Sequence, residues 1–420
     1  MTGILEKIYT AGFSVYLHGF GAVDSWIDSA SKPATRSHKQ RLCDRTNGQA
    51  GVQILTNAGT PDLARLFESL RYPGVNLADA ALDTKDCTLY FHCADSINDD
   101  HPSFNLLQFY QDCKTRTFYD PHGIYPLLAG IRRSLNGSRK VNKAAVTLNP
   151  VEIFKQGLNP GFERSRALMD AALILARYFP PDSEAEHQIK EISGLFDGLH
   201  KGAPPGQEEQ RVLLSALMTS INPGLGLELL KACGFTGEYW HELAILDEAD
   251  HSKEFHPEGN AWEHTMETFR HRKAAYDLRL SLGLLLHDTG KPIAVSADNR
   301  RFYGHAKLGE IQARKFLERL GFSASLISDV CFLVNNHMIT AALPRLPFFR
   351  TAEIMESPLF PLLLELYRCD ESSSYKGLDG YYESSAMYQS YLRNRRNPYR
   401  SADGKKLNRK QMSEASYSQR

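Results

Sequence analysis

The chain has 420 residues, of which 42% are hydrophobic and 23% charged; this is typical of a soluble protein with two to four domains of roughly 100 to 200 residues. Its 49 lysines and arginines balance 49 aspartates and glutamates, so net charge gives no reason to expect nucleic-acid binding outside a local cluster. Seven cysteines without a CxxC pair argue against a disulfide framework and favour reduced thiols.

The chain shows no targeting pattern. Residues 1–16 lack the basic and then apolar layout of a secretion signal. No apolar run approaches the ~20 residues that a membrane helix needs. We therefore predict a cytoplasmic protein without a membrane segment.

Residues 1–148 predict a small α/β head domain. Short β-type runs at 13–17, 52–55 and 88–91 alternate with a helical pattern at 61–70. The next zone, by contrast, is helical throughout.

Residues 149–240 predict a helical linker domain. One helix is expected over 162–178, a second over 208–221, and a turn at Pro223-Gly224. The fold class that follows is α+β, with a small head and a mostly helical body.

The rest of the chain divides into a helical domain at 241–390 and a basic tail at 391–420. Nine lysines and arginines in the tail stand against two acidic residues. This composition predicts a solvated, disordered end, with attraction to phosphate as the alternative.

The most informative stretch is His287-Asp288, which closes an apolar helix predicted over 277–288. A buried imidazole beside a carboxylate costs free energy unless something pairs with both, and a metal ion is the commonest solution. Gly290 can end this helix in a left-handed conformation. We therefore expect His287 and Asp288 to be held inside a helical bundle.

More donors of the same kind lie on either side of this pair. His264 belongs to a helix that Asn260 can cap, and Asp370 follows an apolar helical run at 362–367. Four donors from three helices can therefore converge on one ion: His264, His287, Asp288 and Asp370. His305 and His337 are either ligands of a second ion or phosphate-contacting and acid-base groups beside a single ion.

Mixed imidazole and carboxylate ligands suit Mn, Fe, Co, Ni, Zn or Mg, with open positions for water and a phosphate oxygen. Such an ion lowers the pKa of water and polarises a phosphoryl oxygen. Lys291 is placed to meet negative charge developing on the phosphate. The predicted catalytic residues are Asp288, Lys291, His305 and His337.

Simpler interpretations exist for individual residues. A single histidine is more often a satisfied surface or core residue than a ligand, and we interpret His251, His256 and His271 in this way. Asp370 has an alternative as well, because Arg368 could hold it in an ordinary ion pair.

The order H…HD…H…H…D resembles the HD superfamily of metal-dependent phosphohydrolases. The stretches at 256–264, 284–292 and 303–305 look like the HD domain attached to bacterial tRNA nucleotidyltransferases, the CCA-adding and poly(A) polymerase family. The resemblance implies a phosphoester substrate, with tRNA or a nucleotide as the partner.

The head resembles the same family. The segment 16–23 is similar to its glycine-turn opening, 56–61 to the stretch after its metal-binding carboxylates, and 119–130 to the end of its head domain. The resemblance spans most of residues 10–375. It implies a nucleotidyltransferase-like head, an RNA-binding-like helical linker at 149–240 and a C-terminal HD bundle.

Important positions depart from that family. The acidic pair needed for two-metal nucleotidyl transfer falls on Gly51 and Gln53, which cannot hold a divalent cation as carboxylates do. The Arg-Asp pair after the glycine turn falls on Asp24-Ser25, and the nucleotide-reading arginines on Asp170 and Leu173. These differences imply a head that keeps the fold without nucleotidyl transfer.

Three hypotheses follow. The first is a metal-dependent phosphomonoesterase or 2′,3′-cyclic phosphodiesterase that acts on nucleotides or RNA ends. The second is a working CCA-adding tRNA nucleotidyltransferase with carboxylates from elsewhere, for instance Asp44, Asp62 or Asp83. The third is a non-catalytic RNA- or nucleotide-binding protein.

Overall fold

The computed structural model divides the chain into two compact units. Unit 1 comprises residues 1–244, 272–281 and 315–327, and unit 2 comprises 245–271, 282–314 and 328–420. The residues described are 2–29, 51–73, 78–85, 87–95, 106–121, 123–124, 128–129, 151, 154–155, 164–181, 184–196, 204–249, 259–273, 277–294, 302–374, 377–397, 399–401 and 403–407.

The head of unit 1 contains a mixed six-stranded sheet in the order β3-β4-β2-β1-β5-β6. Its strands are β1 (Val15–His18), β2 (Val52–Thr56), β3 (Ala80–Asp83), β4 (Thr88–Cys93), β5 (Tyr110–Asp112) and β6 (Phe118–Tyr119). Strands β2 and β4 are parallel, and the other neighbours are antiparallel. The three strands predicted from sequence are therefore confirmed.

Among the described residues of the head, three helices accompany the sheet: α1 (Thr2–Thr10), α2 (Phe20–Ser29) and α3 (Thr60–Leu66). Helix α3 ends four residues earlier than predicted, because Phe67 adopts an extended backbone with φ −134° and ψ 109°. The head is thus an α/β domain, as the sequence predicts.

After the sheet, unit 1 is mainly helical in the residues described. Its helices are α4 (Arg164–Tyr178), α5 (Glu184–His187), α6 (Ile189–Gly194), α7 (Gln207–Met218), α8 (Pro223–Ala232), α9 (Phe235–Tyr239) and α10 (His241–Ala244). The turn predicted at Pro223-Gly224 is wrong, since Pro223 is the first residue of α8. Asn222 caps that helix by accepting a hydrogen bond from the Leu225 amide, and proline fits the first helical turn.

The elements that reach into unit 2 are also helical. They are the 3-10 helix Ile245–Glu248, α11 (Ala261–Arg270), α12 (Leu278–Leu286), α13 (His305–Arg319), α14 (Ala324–Ala342), the 3-10 helix Leu343–Arg345, α15 (Phe348–Glu356), α16 (Phe360–Ser372) and α17 (Asp379–Arg395). Position 391, where we predict the basic tail to begin, lies inside α17. An ordered turn continues to Leu407, and residues 408–420 lie outside the described residues.

One described segment, Ala324–Arg345, has the length and composition of a membrane-crossing helix. The prediction that no apolar run approaches that length therefore needs correction. Within this fold 56% of its most apolar 18-residue window is buried, and the segment carries His337. Packing inside a helical bundle accounts for its apolar character.

Candidate metal centre

His264 is positioned by a capped helix. The Asn260 side chain accepts a hydrogen bond from the Glu263 amide at 2.9 Å, and Glu263 reaches back to the Asn260 amide. This capping box fixes the start of α11 one turn before His264. The N-cap predicted at Asn260 is confirmed, and His264 is 1% exposed.

His287 and Asp288 lie in the turn that follows α12, directly beyond the end of the helix. The preceding residues Leu284, Leu285 and Leu286 are fully buried. The pair therefore follows directly on a core helix, and both of its side chains remain inside the unit. Each is 1% exposed.

The prediction that Gly290 ends this helix in a left-handed conformation is wrong, because its φ is not positive. Gly290 serves another purpose. A Cβ there would overlap the carbonyl oxygen of His305 and crowd the Gly309 amide. The missing side chain lets the turn pack directly on the start of α13.

Three further donors come from separate helices. His305 is the first residue of α13, His337 lies in α14, and Asp370 lies near the end of α16. His305 is 7% and His337 2% exposed, whereas the Asp370 side chain is 24% exposed. All six residues predicted as ligands therefore meet in unit 2.

The six donors form two adjacent triads, His264 with His287 and Asp370, and Asp288 with His305 and His337. Within each triad the ligand atoms lie within 4.8 Å of one another. Asp288 faces both triads. Its Oδ2 lies 3.3 Å from His287 Nε2, and its Oδ1 lies 3.7 Å from His305 Nε2.

Backbone carbonyls fix the orientation of three imidazole rings. His287 Nδ1 lies 2.8 Å from the Leu284 oxygen, His305 Nδ1 2.8 Å from that of Phe302, and His337 Nδ1 2.7 Å from that of Val334. A carbonyl can only accept, so each Nδ1 carries the hydrogen. In the neutral form of each ring the lone pair is therefore on Nε2, and this atom is directed at the cluster.

His264 is held in the same tautomer by a serine. The Ser373 hydroxyl donates to the Asp370 carbonyl at 2.6 Å, which leaves its oxygen to accept from His264 Nδ1 at 3.2 Å. Sequence reasoning missed Ser373. Its only signal is its position three residues after Asp370, on the same helical turn.

These orientations bring electron pairs face to face. His305 Nε2 lies 3.0 Å from His337 Nε2, and His264 Nε2 lies 2.9 Å from Asp370 Oδ1. The buried His287 Nε2 makes no hydrogen bond to any described residue. A positive centre among these atoms would resolve each contact, so the donor set fits a bound divalent cation.

Electrostatics favours metal over protons at the second triad. Burial lowers the pKa of His337 to about 3, assisted by His287 and His305, and burial also lowers the pKa of His305. Both rings are therefore neutral at pH 7. Burial tends to raise the pKa of Asp288, but His287 and Lys291 bring it well below its ordinary value, so this residue is a carboxylate.

Lys291 is the cation closest to Asp288. Its Nζ donates to Asp288 Oδ2 at 2.6 Å, and 12% of its side chain is exposed. Lys291 thus lies beside the HD pair, and its role toward a phosphate stays a prediction.

Neighbouring residues of the same types are engaged elsewhere. Arg368 pairs with Glu365 at 2.7 Å and donates to the His271 carbonyl, so it does not hold Asp370. His271 caps the end of α11 outside both triads. His251 and His256 lie outside the described residues.

The head lacks a carboxylate pair at the positions expected from the family. A Cβ at Gly51 would lie 2.5 Å from the Tyr90 ring and would also overlap the Thr88 carbonyl. Gln53 Oε1 accepts from His92 Nε2 at 2.6 Å. Neither position offers an oxygen ligand for a cation.

The other altered head positions serve internal bonds. Asp24 pairs with Arg177 at 2.5 Å, where both side chains are at most 5% exposed, and accepts from the Tyr178 hydroxyl at 2.9 Å. Asp170 Oδ1 accepts from the Leu107 amide at 2.7 Å. Burial raises the pKa of Asp170 to about 7. The buried Leu173 belongs to the core.

The two alternative carboxylates that the structure describes are each paired with an arginine. Asp62 pairs with Arg65 at 2.8 Å, and Asp83 pairs with Arg71 at 2.7 Å at the end of the outer strand β3. Asp44 lies outside the described residues. Within the described part of the chain, the groups of three or more potential ligands are the two triads of unit 2.

Comparison with known proteins identifies two similarities. Residues 262–359 match the HD domain family. The chain is also 34% identical over 146 residues to the CC-adding tRNA nucleotidyltransferase of Thermus thermophilus, an alignment that covers 33% of this chain and 33% of that enzyme. The chain thus contains an HD domain, as predicted, and the matched segment spans about a third of its relative.

Two solved structures extend over nearly the whole chain. A tRNA-processing enzyme in its apo form I is 14% identical, with 100% of this chain and 95% of that chain covered, at a TM-score of 0.37. A CCA-adding enzyme in complex with ATP is 12% identical, with 98% and 88% covered, at a TM-score of 0.35. The HD match ends at residue 359 and so does not include Asp370. Asp370 belongs to the first triad because the fold places it 2.9 Å from His264.

Proposed function

We propose that the HD domain is a metal-dependent phosphohydrolase, a phosphomonoesterase or 2′,3′-cyclic phosphodiesterase acting on nucleotides or RNA ends. The observation that carries this proposal is the set of fixed imidazoles. Four buried rings have their Nδ1 hydrogens committed, and their Nε2 atoms converge with two carboxylates. Such a site is strained by repulsion unless cations occupy it.

The ligand sets follow from the triads. His264, His287 and Asp370 would hold one ion, and Asp288, His305 and His337 a second, with Asp288 presenting one oxygen to each. Of the two interpretations open from sequence, we therefore favour two ions. Mn, Fe, Co, Ni, Zn and Mg all suit this mixture of nitrogen and oxygen ligands.

When bound, a divalent ion supplies Lewis acidity, which lowers the pKa of water and polarises a phosphoryl oxygen. The chain supplies the rest. Lys291 presents an ammonium group beside Asp288, where it can neutralise negative charge on a phosphate. The partly exposed side of Asp370 leaves one face of the cluster open to substrate.

The similarity to the CC-adding enzyme favours a second candidate function, tRNA nucleotidyl transfer by the head. Two observations weigh against it in this chain. No side chain fits at Gly51, and Gln53 bonds to His92. We propose that the head does not transfer nucleotides, and that it supports the helical body or binds RNA.

We propose tRNA or a nucleotide as the partner, and the cytoplasm as the location. The matched relative acts on tRNA by its name. The six described cysteines are free thiols, which suits a reducing compartment. The third hypothesis, a non-catalytic RNA- or nucleotide-binding protein, requires binding without turnover.

Hydrolysis assays on the full chain test the proposal. We expect turnover of bis-p-nitrophenyl phosphate and 2′,3′-cyclic AMP when Mn, Ni or Co is added, with Asp288→Ala lowering kcat at least about a hundredfold because it removes a ligand of the second triad that also faces the first. His271→Ala is the matched control, since this histidine lies in the same unit but outside the triads, and it should retain activity.

Two results would refute the hydrolase assignment. One is a folded Asp288→Ala protein with full activity. The other is a metal-loaded parent protein that turns over neither substrate. Incorporation of CTP or ATP into tRNA by the parent protein would instead support nucleotidyl transfer.

A further inference from the structure

A group of exposed cations lies at the end of α17, in unit 2. We call this group the basic turn, and its charged members are Arg393, Arg395, Arg396, Arg400, Lys405 and Lys406. All six are exposed. The only acidic residue in this stretch is Asp403, which lies 3.0 Å from Lys405. Six cations against one acidic residue leave an excess of five positive charges in this stretch.

The basic turn is ordered rather than a loose tail. The Leu407 amide donates to the Tyr399 carbonyl at 2.9 Å, and the Ser401 amide donates to the Lys405 carbonyl at 2.9 Å. Arg400 also donates to the Gly404 carbonyl at 2.6 Å. These bonds fold the backbone back after α17, so the backbone positions of Arg400, Lys405 and Lys406 lie close together.

An aromatic ring accompanies the charges. Tyr399 is 67% exposed within the basic turn. An exposed aromatic side chain among arginines is the combination that binds single-stranded nucleic acid, because bases stack on the ring while the cations meet phosphates. Four of the six cations are arginines, which suit bidentate contacts to phosphate.

The helix α17 connects the basic turn to the metal centre. It runs antiparallel to α16. At one end the Tyr381 amide donates to Glu371, next to the ligand Asp370, and at the other the Tyr391 hydroxyl donates to Glu356. The 17 residues of α17 span about 25 Å at 1.5 Å per residue. The basic turn therefore lies roughly that far from Asp370.

We propose that the basic turn binds the phosphodiester backbone of single-stranded RNA whose end lies at the metal centre. This inference rests on the proposed function, since it assumes that the HD site acts on RNA ends. A separation of about 25 Å corresponds to about seven stacked nucleotides at 3.4 Å each. RNA longer than this reaches both places, and shorter RNA reaches one.

Binding of a 20-nucleotide oligouridylate to the full chain, measured over a salt series, tests the proposal. The triple variant Arg393→Gln, Arg396→Gln, Lys406→Gln keeps the backbone bonds of the turn. We expect it to bind at least about tenfold more weakly, with a salt slope shallower by about 2, because each phosphate contact on a single strand contributes about 0.7. Binding of a three-nucleotide RNA whose end occupies the metal centre should not change, because it is too short to reach the basic turn.

The matched control removes three other exposed cations, Arg314→Gln, Lys315→Gln and Arg350→Gln, and should bind the long RNA as the parent does. Equal affinity and salt slope in the two triple variants would overturn the proposal. Two other results would also overturn it. One is a parent protein that does not bind the RNA. The other is displacement of the bound RNA by polyglutamate of equal charge as readily as by competitor RNA.

Hydrolysis of 2′,3′-cyclic AMP separates this inference from the proposed function, because a mononucleotide bound at the metal centre is too short to contact the basic turn. We expect the basic-turn variant to retain kcat and KM for it. Loss of RNA binding in the variant, together with no hydrolysis by the parent, would uphold the basic turn and refute the hydrolase.

Discussion

At the scale of single residues, the metal centre depends on hydrogen bonds that point the imidazole rings. His287, His305 and His337 each donate from Nδ1 to the carbonyl three residues earlier. The same local bond therefore orients rings from three different segments. Removing such an outer partner from a metal ligand typically lowers affinity about 10- to 100-fold.

Gly290 provides a residue-scale prediction. The Gly290→Ala change would drive a Cβ into the His305 carbonyl, so the backbone must shift where one ligand begins its helix. We expect a loss of about 1–3 kcal/mol in the free energy of unfolding and weaker metal binding. Denaturant unfolding and metal titration measure these two effects.

Gly237→Ala is the control for that prediction. Gly237 lies within α9 with open space around its Cβ position, and alanine there should be neutral or raise stability by up to ~1 kcal/mol. If Gly290→Ala behaved like this control, the close packing described at the turn would not matter for the site.

At the scale of elements, periodicity and capping predict much of the body. The Asn260 cap, the apolar helix before His287 and the apolar run before Asp370 all exist. The errors have local causes. Pro223 suggests a turn, although proline also favours the first helical position, and Gly290 suggests a left-handed helix end, although its role is close packing.

The sequence predicts which residues form the site but not how their side chains are arranged. The spacing of histidines and aspartates along the chain identifies six donors. It cannot show that Asp288 divides its two oxygens between two triads, because that depends on how the turn after α12 meets α13. It also cannot show Ser373, whose role arises from tertiary contact with His264.

The cap of α11 gives an element-scale prediction. Asn260→Ala removes the oxygen that accepts from the Glu263 amide, so we expect the free energy of unfolding to fall by about 1 kcal/mol and metal affinity to fall because His264 lies one turn later. Thermal unfolding with and without Mn measures both.

Asn260→Asp retains a capping oxygen and should restore most of the stability. Equal losses in the Ala and Asp variants would mean that the cap is not what supports the helix, and that the bond from the Asn260 side chain to Asp247 matters instead.

At the scale of the whole molecule, the two units differ in what could stabilise them. Both potential metal clusters among the described residues belong to unit 2. Unit 1 instead has the buried Asp24–Arg177 ion pair. A ligand that binds only the folded state stabilises the part that holds it.

Added Mn should therefore protect unit 2 selectively. At a hundredfold excess over its Kd, we expect about 2.7 kcal/mol of added stability, reversed by a chelator and absent in His287→Ala. Amide hydrogen exchange resolved by segment measures this, with His241→Ala, an exposed histidine of unit 1, as the control. Equal protection of the two units would contradict the assignment of the site.

The tight packing at Gly51 restricts what mutation can achieve in the head. An aspartate introduced there alone would force its side chain into the ring of Tyr90 and the carbonyl of Thr88, and a partner acid at Gln53 would forfeit the bond to His92. A substitution at either position alone therefore does not create a pair of carboxylates that could hold a cation. Converting this head into a polymerase would first require changes in strand β4, which carries Thr88 and Tyr90.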